Sequence, residues 1–585
     1  MASLADVVRL DDFASKLPPW TPDLPNHLYA LVDMGSNGIR FSISDLSPPD
    51  SRLLRCLYQE RSAISLLDAL HSSGQAGPPA FPPDTIAQVS QTLARFKSIA
   101  GEYGVPSEHV SVFATEAARK ASNAAAMLEA IKNQSGLGVH ILAPEVETLL
   151  GAMGARSGFS KVKGLFLDLG GGSVQMTFVD SDSPDYAIQA AQTGKSLPFG
   201  AARLTHDLEK GDAETLAASM DELQSGMHHA FARLEQQFPL LRETQSTPDG
   251  PGVDIYLCGG GFRGYGSILM HEDAAQPYPI PAIGAYTVEG SFFKQTAAMR
   301  KVNAEYEGKI FGMSKRRRKQ FPAIATVVEA LIRAVPRIRT VTFCSGGNRE
   351  GALLLKLPLN IREACPLSLL HPGKEVEPVA VNAIITTIQS ALPSNMDQSN
   401  IPTVFTLGLG PLFASEIWTR TGEPSEANAS FHLHQTLTRD PSAPGFTHLS
   451  RAVLGLTLCF RWGATLGPID QELFNSLKCI VAQANPEALF WAHYIGAVAR
   501  MLSKICPHAP KSESQLEEIV SYGAEYRSSK HKTALQLTVS LSPAMYKTLG
   551  HENIVDSFQD VGKRKGETSV INPCSKVEVL VQTRS

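Results

Sequence analysis

The chain has little of what marks a disulfide-built, membrane-spanning or nucleic-acid-coating protein. Its eight cysteines, at 56, 258, 344, 365, 459, 479, 506 and 574, are scattered and form no Cys-x-x-Cys pair. That argues against a disulfide framework or a zinc ribbon and fits a reducing compartment. No apolar run reaches the roughly 18 residues a membrane helix needs, and Met1-Ala2-Ser3-Leu4-Ala5-Asp6 lacks the basic start of a secretory leader. A formal charge of −4 gives no whole-chain reason to expect nucleic acid. The histidines show no metal spacing: His432 and His434 lie in loop-like sequence, and His493, among Phe490, Trp491, Tyr494 and Ile495, reads as a core histidine. The expectation is a soluble cytoplasmic protein with no membrane partner.

Two glycine-rich turns stand out against this background. Asp33-Met34-Gly35-Ser36-Asn37-Gly38 follows the apolar run Leu28–Val32, and Asp168-Leu169-Gly170-Gly171-Gly172-Ser173 follows Gly164–Leu167. An alternating segment comes next in each case, Ile39–Ile43 and Val174–Val179. The pattern predicts strand, tight turn and strand, twice over. Glycine lets the backbone approach a ligand and point several N–H groups at one oxyanion. An aspartate at the strand end can hold a metal-bound water beside it. Ordinary Asp-Gly hairpins are the competing reading for either turn alone.

At 585 residues the chain implies roughly three or four domains. Pro18, Pro19, Pro22 and Pro25 make residues 1–26 an extended arm. Residues 27–162 then read β-β-β-α-β-α-β-α, with an amphipathic helix at Thr85–Ala100 and a strand at Val110–Ala114. Residues 163–365 begin the plan again: Ala187–Ala190 continues the sheet, and Leu197–Leu204 opens a helical stretch towards residue 237. Strands at Asp254–Cys258 and Thr340–Cys344 run into Gly259-Gly260-Gly261-Phe262-Arg263-Gly264 and Ser345-Gly346-Gly347-Asn348-Arg349-Glu350-Gly351. The repetition predicts a duplicated α/β unit with a ligand in the cleft between its halves. Residues 366–585 turn to helical periodicity, with polar linkers at 393–402, 421–430 and 439–447, and end in a small β-containing tail.

Phosphate chemistry is mostly positioning and charge stabilisation. Asp33 and Asp168 are therefore the candidate metal-orienting carboxylates. Gly35, Ser36, Asn37, Arg40 and the turn Gly170, Gly171, Gly172, Ser173 are candidate phosphate contacts, joined by Gly259, Gly260, Gly261 and Arg263. Arg119 is a candidate phosphate cation and Glu147 a candidate general base. Each also reads as an ordinary surface helix residue when taken alone. The run Lys315-Arg316-Arg317-Arg318-Lys319 reads as the solvated start of a helix, with a nuclear-localisation or nucleic-acid role as the alternative.

Asp33–Arg40, Phe113-Ala-Thr-Glu-Ala-Ala-Arg119, the Glu147 helix, Leu167–Ser173 and Ser345–Gly351 together resemble the Ppx/GppA exopolyphosphatase/guanosine-pentaphosphate phosphatase family. The resemblance spans roughly residues 27–365 and implies the duplicated actin-like (sugar kinase/Hsp70/actin) ATPase-type two-domain fold. It further implies Mg²⁺-dependent hydrolysis of phosphoanhydride bonds, with Glu147 as catalytic base, Asp168 and Arg119 beside it, and Asp33 and Asp168 handling metal. The stretch Gly259–Gly266 and the long C-terminal region are most similar to fungal members. They imply a nucleotide- or polyphosphate-binding regulator of mitochondria-to-nucleus signalling that acts through protein partners and is compatible with a homodimer. Two departures bear on turnover: Gln175 stands where family enzymes usually have Glu, and Val146 where a second Glu is common. Residues 366–585 also contain no His-Asp dipeptide, so no second metal site is expected there.

Overall fold

The fold is described from a computed structural model. It describes residues 7–72, 78–210, 212–246, 250–370, 376, 378–397, 400–420, 422, 424–439, 443–529, 532–549, 551–562, 573–574 and 576–584. The chain divides into two compact units. The first comprises residues 1–272, 282–366 and 442–445, the second residues 273–281, 367–441 and 446–585.

Two six-stranded sheets organise the first unit. One contains β1 (Val7–Val8), β2 (Leu28–Gly35), β3 (Gly38–Asp45), β4 (Arg55–Ser62), β5 (Val110–Ala114) and β6 (Val139–Leu142), in the order β1-β6-β5-β2-β3-β4. The other contains β7 (Lys163–Leu169), β8 (Val174–Asp180), β9 (Lys195–Leu197), β10 (Val253–Cys258), β11 (Tyr286–Glu289) and β12 (Ile338–Phe343), in the order β11-β12-β10-β7-β8-β9. Without the outer strands β1 and β11, both sheets follow one plan. The first three strands form an antiparallel meander, and the next two add in parallel on the other side of the first. The expected duplication is therefore present strand by strand, as the actin-like fold requires.

Burial on both faces explains the apolar runs. Along β2, Ala30, Val32 and Met34 join one core with Val89, Leu93 and Phe96 of helix Pro83–Glu102. Tyr29 and Leu31 point the other way, towards Val146 and Leu150 of helix Pro144–Ser157 and Leu353 of helix Asn348–Lys356. Alternation sends successive side chains to opposite faces, so a strand covered on both sides must be apolar throughout. The last two helices approach too closely for side chains between them. A Cβ at Gly154 would lie 2.0 Å from the Gly347 carbonyl oxygen, and one at Gly351 2.0 Å from that of Leu150.

Several local expectations are corrected. The proline-containing arm is not simply extended: β1 pairs in parallel with β6, helix Leu10–Lys16 follows, and Phe13 and Trp20 are buried. Residues Ala187–Ala190 belong to helix Tyr186–Thr193, which buries Tyr186, Ala190 and Ala191 while Ile188 faces solvent. The short strand β9 occupies Leu197, and the helical stretch begins at Ala201, as Ala201–Lys210 and Ala213–Gln237. The linker expected at 421–430 gives way from Ser425 onward to helix Ser425–Thr438.

In the second unit, helices His448–Arg461, Pro468–Ala484 and Ala488–Ile505 bury Leu454, Leu456, Phe474, Leu477, Trp491, Tyr494 and Val498. Its sheet has three strands, β13 (Val520–Ser529), β14 (Lys532–Leu541) and β15 (Lys576–Thr583). The first of these escapes the sequence pattern. His493 stacks on Phe460 at 4.1 Å between ring centroids and is half-buried, at the edge of the core rather than within it. His434 Nε2 lies 2.7 Å from Asp470 and ties two helices together. Among the described residues, no group of three or more His, Cys, Asp and Glu side chains converges as a metal site.

Candidate functional site

Both glycine-rich turns open onto one cavity of about 320 Å³ in the first unit. Asp33, Gly35, Ser36, Asn37, Gly38 and Arg40 line it from β2–β3. Asp168, Gly170, Gly171, Gly172, Ser173 and Gln175 line it from β7–β8. Glu147 enters near the start of helix Pro144–Ser157, and Gly259, Gly260 and Gly261 form the first turn of helix Gly259–His271. Gly259 has φ +88°, and a Cβ there would sit 2.2 Å from Asp168 Oδ1, so only glycine fits beside the carboxylate.

The second turn is tied from behind. Ala201 N–H donates to the Gly170 carbonyl at 3.0 Å, and the N–H groups of Ala202 and Arg203 donate to that of Gly171 at 2.9 and 3.1 Å. A helix N-terminus thus fixes the carbonyl ends of these peptides, which is how a donor-rich turn is pre-organised. Gln175, buried opposite Asp168 in the hairpin register, donates to Ser173 Oγ at 2.8 Å.

Burial dominates the electrostatics. Asp33 and Asp168 both have pKa values raised by desolvation, against the opposing pull of Arg40 and Arg349 on the first and of Arg263 and Arg40 on the second. Burial lifts Glu147 to about 7, opposed by Arg119, whose Nη2 donates to Glu147 Oε2 at 2.7 Å. A carboxyl poised near neutrality is suited to proton transfer. Arg119 stands behind Glu147 and is not among the cavity-lining residues. Arg263 lines a neighbouring cavity of about 570 Å³ that shares Arg40 and Arg61 with the first, and it donates to the Ser345 carbonyl at 3.1 Å.

Asp33 Oδ1 is buried with no hydrogen-bond partner, and the two raised-pKa carboxylates come from opposing hairpins. Two anionic oxygen donors, with a free buried oxygen on Asp33, fit Mg²⁺ that also takes water and phosphate oxygens.

Five lining residues went unrecognised in the sequence: Arg61, Ser314, Arg316, Arg317 and Gln320. The last three belong to helix Lys315–Ala334, where the basic run forms the first turn. Lys315 and Lys319 are exposed as expected, whereas Arg316 and Arg317 are turned partly inward onto the cavity. With Arg40 and Arg61, they give the cavity four guanidinium groups against the carboxylates of Asp33, Glu147 and Asp168. Such a lining favours a ligand carrying several negative charges. The signal available was the position of the run at a helix start, where 3.6 residues per turn carry part of any five-residue run onto the inward face.

Known proteins match both regions of the chain. Residues 46–360 match the Ppx/GppA phosphatase family, and residues 368–584 match the RTG2 C-terminal domain. Retrograde regulation protein 2 of Saccharomyces cerevisiae is 30% identical over 522 residues, 87% of this chain and 86% of that protein. Exopolyphosphatase 1 of Mycobacterium leprae is 27% identical over 56% of this chain and 88% of its own length. A solved Ppx-GppA enzyme from Aquifex aeolicus superposes with a TM-score of 0.42 at 20% identity, over 56% of this chain and 99% of that one.

Proposed function

The chain belongs to the Ppx/GppA phosphatase family, and on that premise we propose that it is a phosphate-responsive regulator. It binds a nucleotide or polyphosphate with Mg²⁺ between the two turns and acts through protein partners in retrograde, mitochondria-to-nucleus signalling. One observation carries the binding reading: two opposed Asp-Gly turns share a cavity with four arginines. The 30% identity to retrograde regulation protein 2 across both regions of the chain supports the regulatory part.

Within that site, Asp33 and Asp168 would hold the Mg²⁺, which would neutralise phosphate charge. The backbone N–H groups of the turns bind and orient phosphate oxygens. Arg40, Arg61 and Arg317 balance the charge that remains. Glu147 can take a proton from a water on the cavity side, with Arg119 holding the carboxylate in place. The position of Gln175 is the reason to separate binding from turnover. A neutral amide there keeps the hydrogen bond to Ser173 and supplies no negative charge to a metal or a water. Loss of one acid–base contribution typically lowers a rate by about 10²–10⁴-fold.

An active phosphoanhydride hydrolase is the second reading, favoured by the retention of Glu147 near neutrality in the cavity. Phosphate release from polyphosphate and from GTP, compared in wild type, Glu147→Ala and Gln175→Glu, separates the two. The regulator reading expects negligible release from wild type and measurable release from Gln175→Glu. Brisk wild-type release abolished by Glu147→Ala would replace it with the enzyme.

A further inference from the structure

Within the first unit, the half built on β1–β6 is the first lobe and the half built on β7–β12 the second. We propose that Arg316 is an interlobe clasp: a positioning residue of the second lobe that holds the first phosphate turn against the second. The inference rests on the clamp reading above and adds to it the residue that sets the spacing of the two turns.

Arg316 is the second residue of helix Lys315–Ala334, whose Phe321, Ile324, Val327, Val328 and Leu331 are buried. Phe321 stacks on Tyr265 of helix Gly259–His271, so the helix is anchored in the second lobe. From there the guanidinium crosses the cleft. Nη1 donates to the Asn37 carbonyl at 3.2 Å, and Nη2 donates to Asn37 Oδ1 at 2.6 Å and to Ser65 Oγ at 3.0 Å. Nη2 also lies 3.3 Å from Asp68 Oδ2. All of these partners belong to the first lobe. Ser36, next to Asn37, is held in the same knot, because its carbonyl accepts from Leu67 N–H at 3.0 Å.

The opposite side of the turn shows what the clasp presses it against. A Cβ built on Gly171 would lie 2.7 Å from Asn37 Cγ, and one on Gly172 3.1 Å from Ser36 Oγ. Asn37 is thus held between Arg316 on one side and the second glycine turn on the other. A separate contact bridges the lobes nearby, with the rings of His71 and His206 4.9 Å apart.

The other cations of the run do different things. Lys315 and Lys319 face solvent, and Arg318 donates to the Tyr306 carbonyl. Asp68 is 67% exposed, so its ion pair alone holds little. The grip comes from the planar fork reaching a carbonyl, an amide and a hydroxyl at once, which a lysine ammonium cannot reproduce. A ligand that needs both turns binds best to the closed arrangement, and a residue that stabilises that arrangement raises its affinity.

The test compares full-length wild type, Arg316→Ala and Arg316→Lys by amide deuterium exchange and by calorimetric titration of tripolyphosphate in Mg²⁺. Arg316→Ala should speed exchange in residues 35–38 and 170–173 and leave β13–β15 unchanged. Tripolyphosphate affinity should fall about tenfold with stoichiometry preserved, which a merely misfolded fraction would not do. Arg316→Lys should fall between the two. Unchanged exchange at the turns in Arg316→Ala would overturn the clasp, as would Arg316→Lys behaving like wild type in both measurements. Faster exchange in Arg316→Ala, with no tripolyphosphate binding even by wild type, would support the clasp and remove the phosphate reading.

Discussion

The two glycine turns share a topology and differ in chemistry. In β2–β3 the residue paired with Asp33 is Arg40, and in β7–β8 the residue paired with Asp168 is Gln175. The first turn offers side chains, Ser36 and Asn37, and is gripped by Arg61 and Arg316 through the Asn37 carbonyl. The second offers three glycines, and a Cβ would clash at Gly171 and Gly172, so backbone is nearly all that these two can present. Duplication supplied two equivalent strand–turn–strand frames, and divergence put a cation opposite the aspartate in one and a neutral amide in the other. A phosphate clamp with one firm jaw and one gripped jaw follows from that asymmetry.

The largest effect expected from the asymmetry is on stability. A Cβ at Gly200 would lie 2.3 Å from the backbone of Gly171 and Gly172, behind the second turn, whereas the nearest atom to a Cβ at Gly35 is 3.4 Å away. Gly200→Ala should therefore cost on the order of 3 kcal/mol and Gly35→Ala less than about 1 kcal/mol, read from urea unfolding midpoints. Equal losses would erase the distinction between the jaws.

A smaller effect concerns pH. Glu147 has its pKa raised from 4.5 to about 7 by burial, so between these values the folded chain keeps a proton that the unfolded chain has lost. The folded state then binds more protons, and stability falls as pH rises from about 4.5 to about 7. Glu147→Gln should flatten that part of the curve, measured by unfolding at a series of pH values. The raised values of Asp33 and Asp168 act with the same sign, so some slope should remain. An unchanged slope in Glu147→Gln would mean that the carboxyl is not desolvated as described.

Much of this was legible in the sequence, for identifiable reasons. Both hairpins were marked by an apolar run, an aspartate, glycines and renewed alternation, a local pattern that tertiary context does not override. Gly259 and Asn348 sit where strands run into helices, and the glycine runs there marked the cavity wall. Three kinds of feature escaped. Ala187–Ala190 is too short for its period to be read, and its helix buries only one face. The start of helix Ser425–Thr438, rich in Ser and Asn, falls in the stretch 421–430 that reads as linker, although Asn428 and Ala429 are buried. Arg316 and Arg317 lie in a charge run, which normally marks a solvated face. Only the fold shows that the cleft lies on one side of it.

The central claim is that the two turns form one Mg²⁺-dependent phosphate clamp. It is tested most directly by titrating tripolyphosphate, GTP and long-chain polyphosphate into wild type, Asp33→Ala and Asp168→Ala in the presence and absence of Mg²⁺. The account predicts Mg²⁺-dependent binding of at least one of these by wild type, weakened in both variants. No binding of any of them by wild type, or binding that neither aspartate affects, would contradict it.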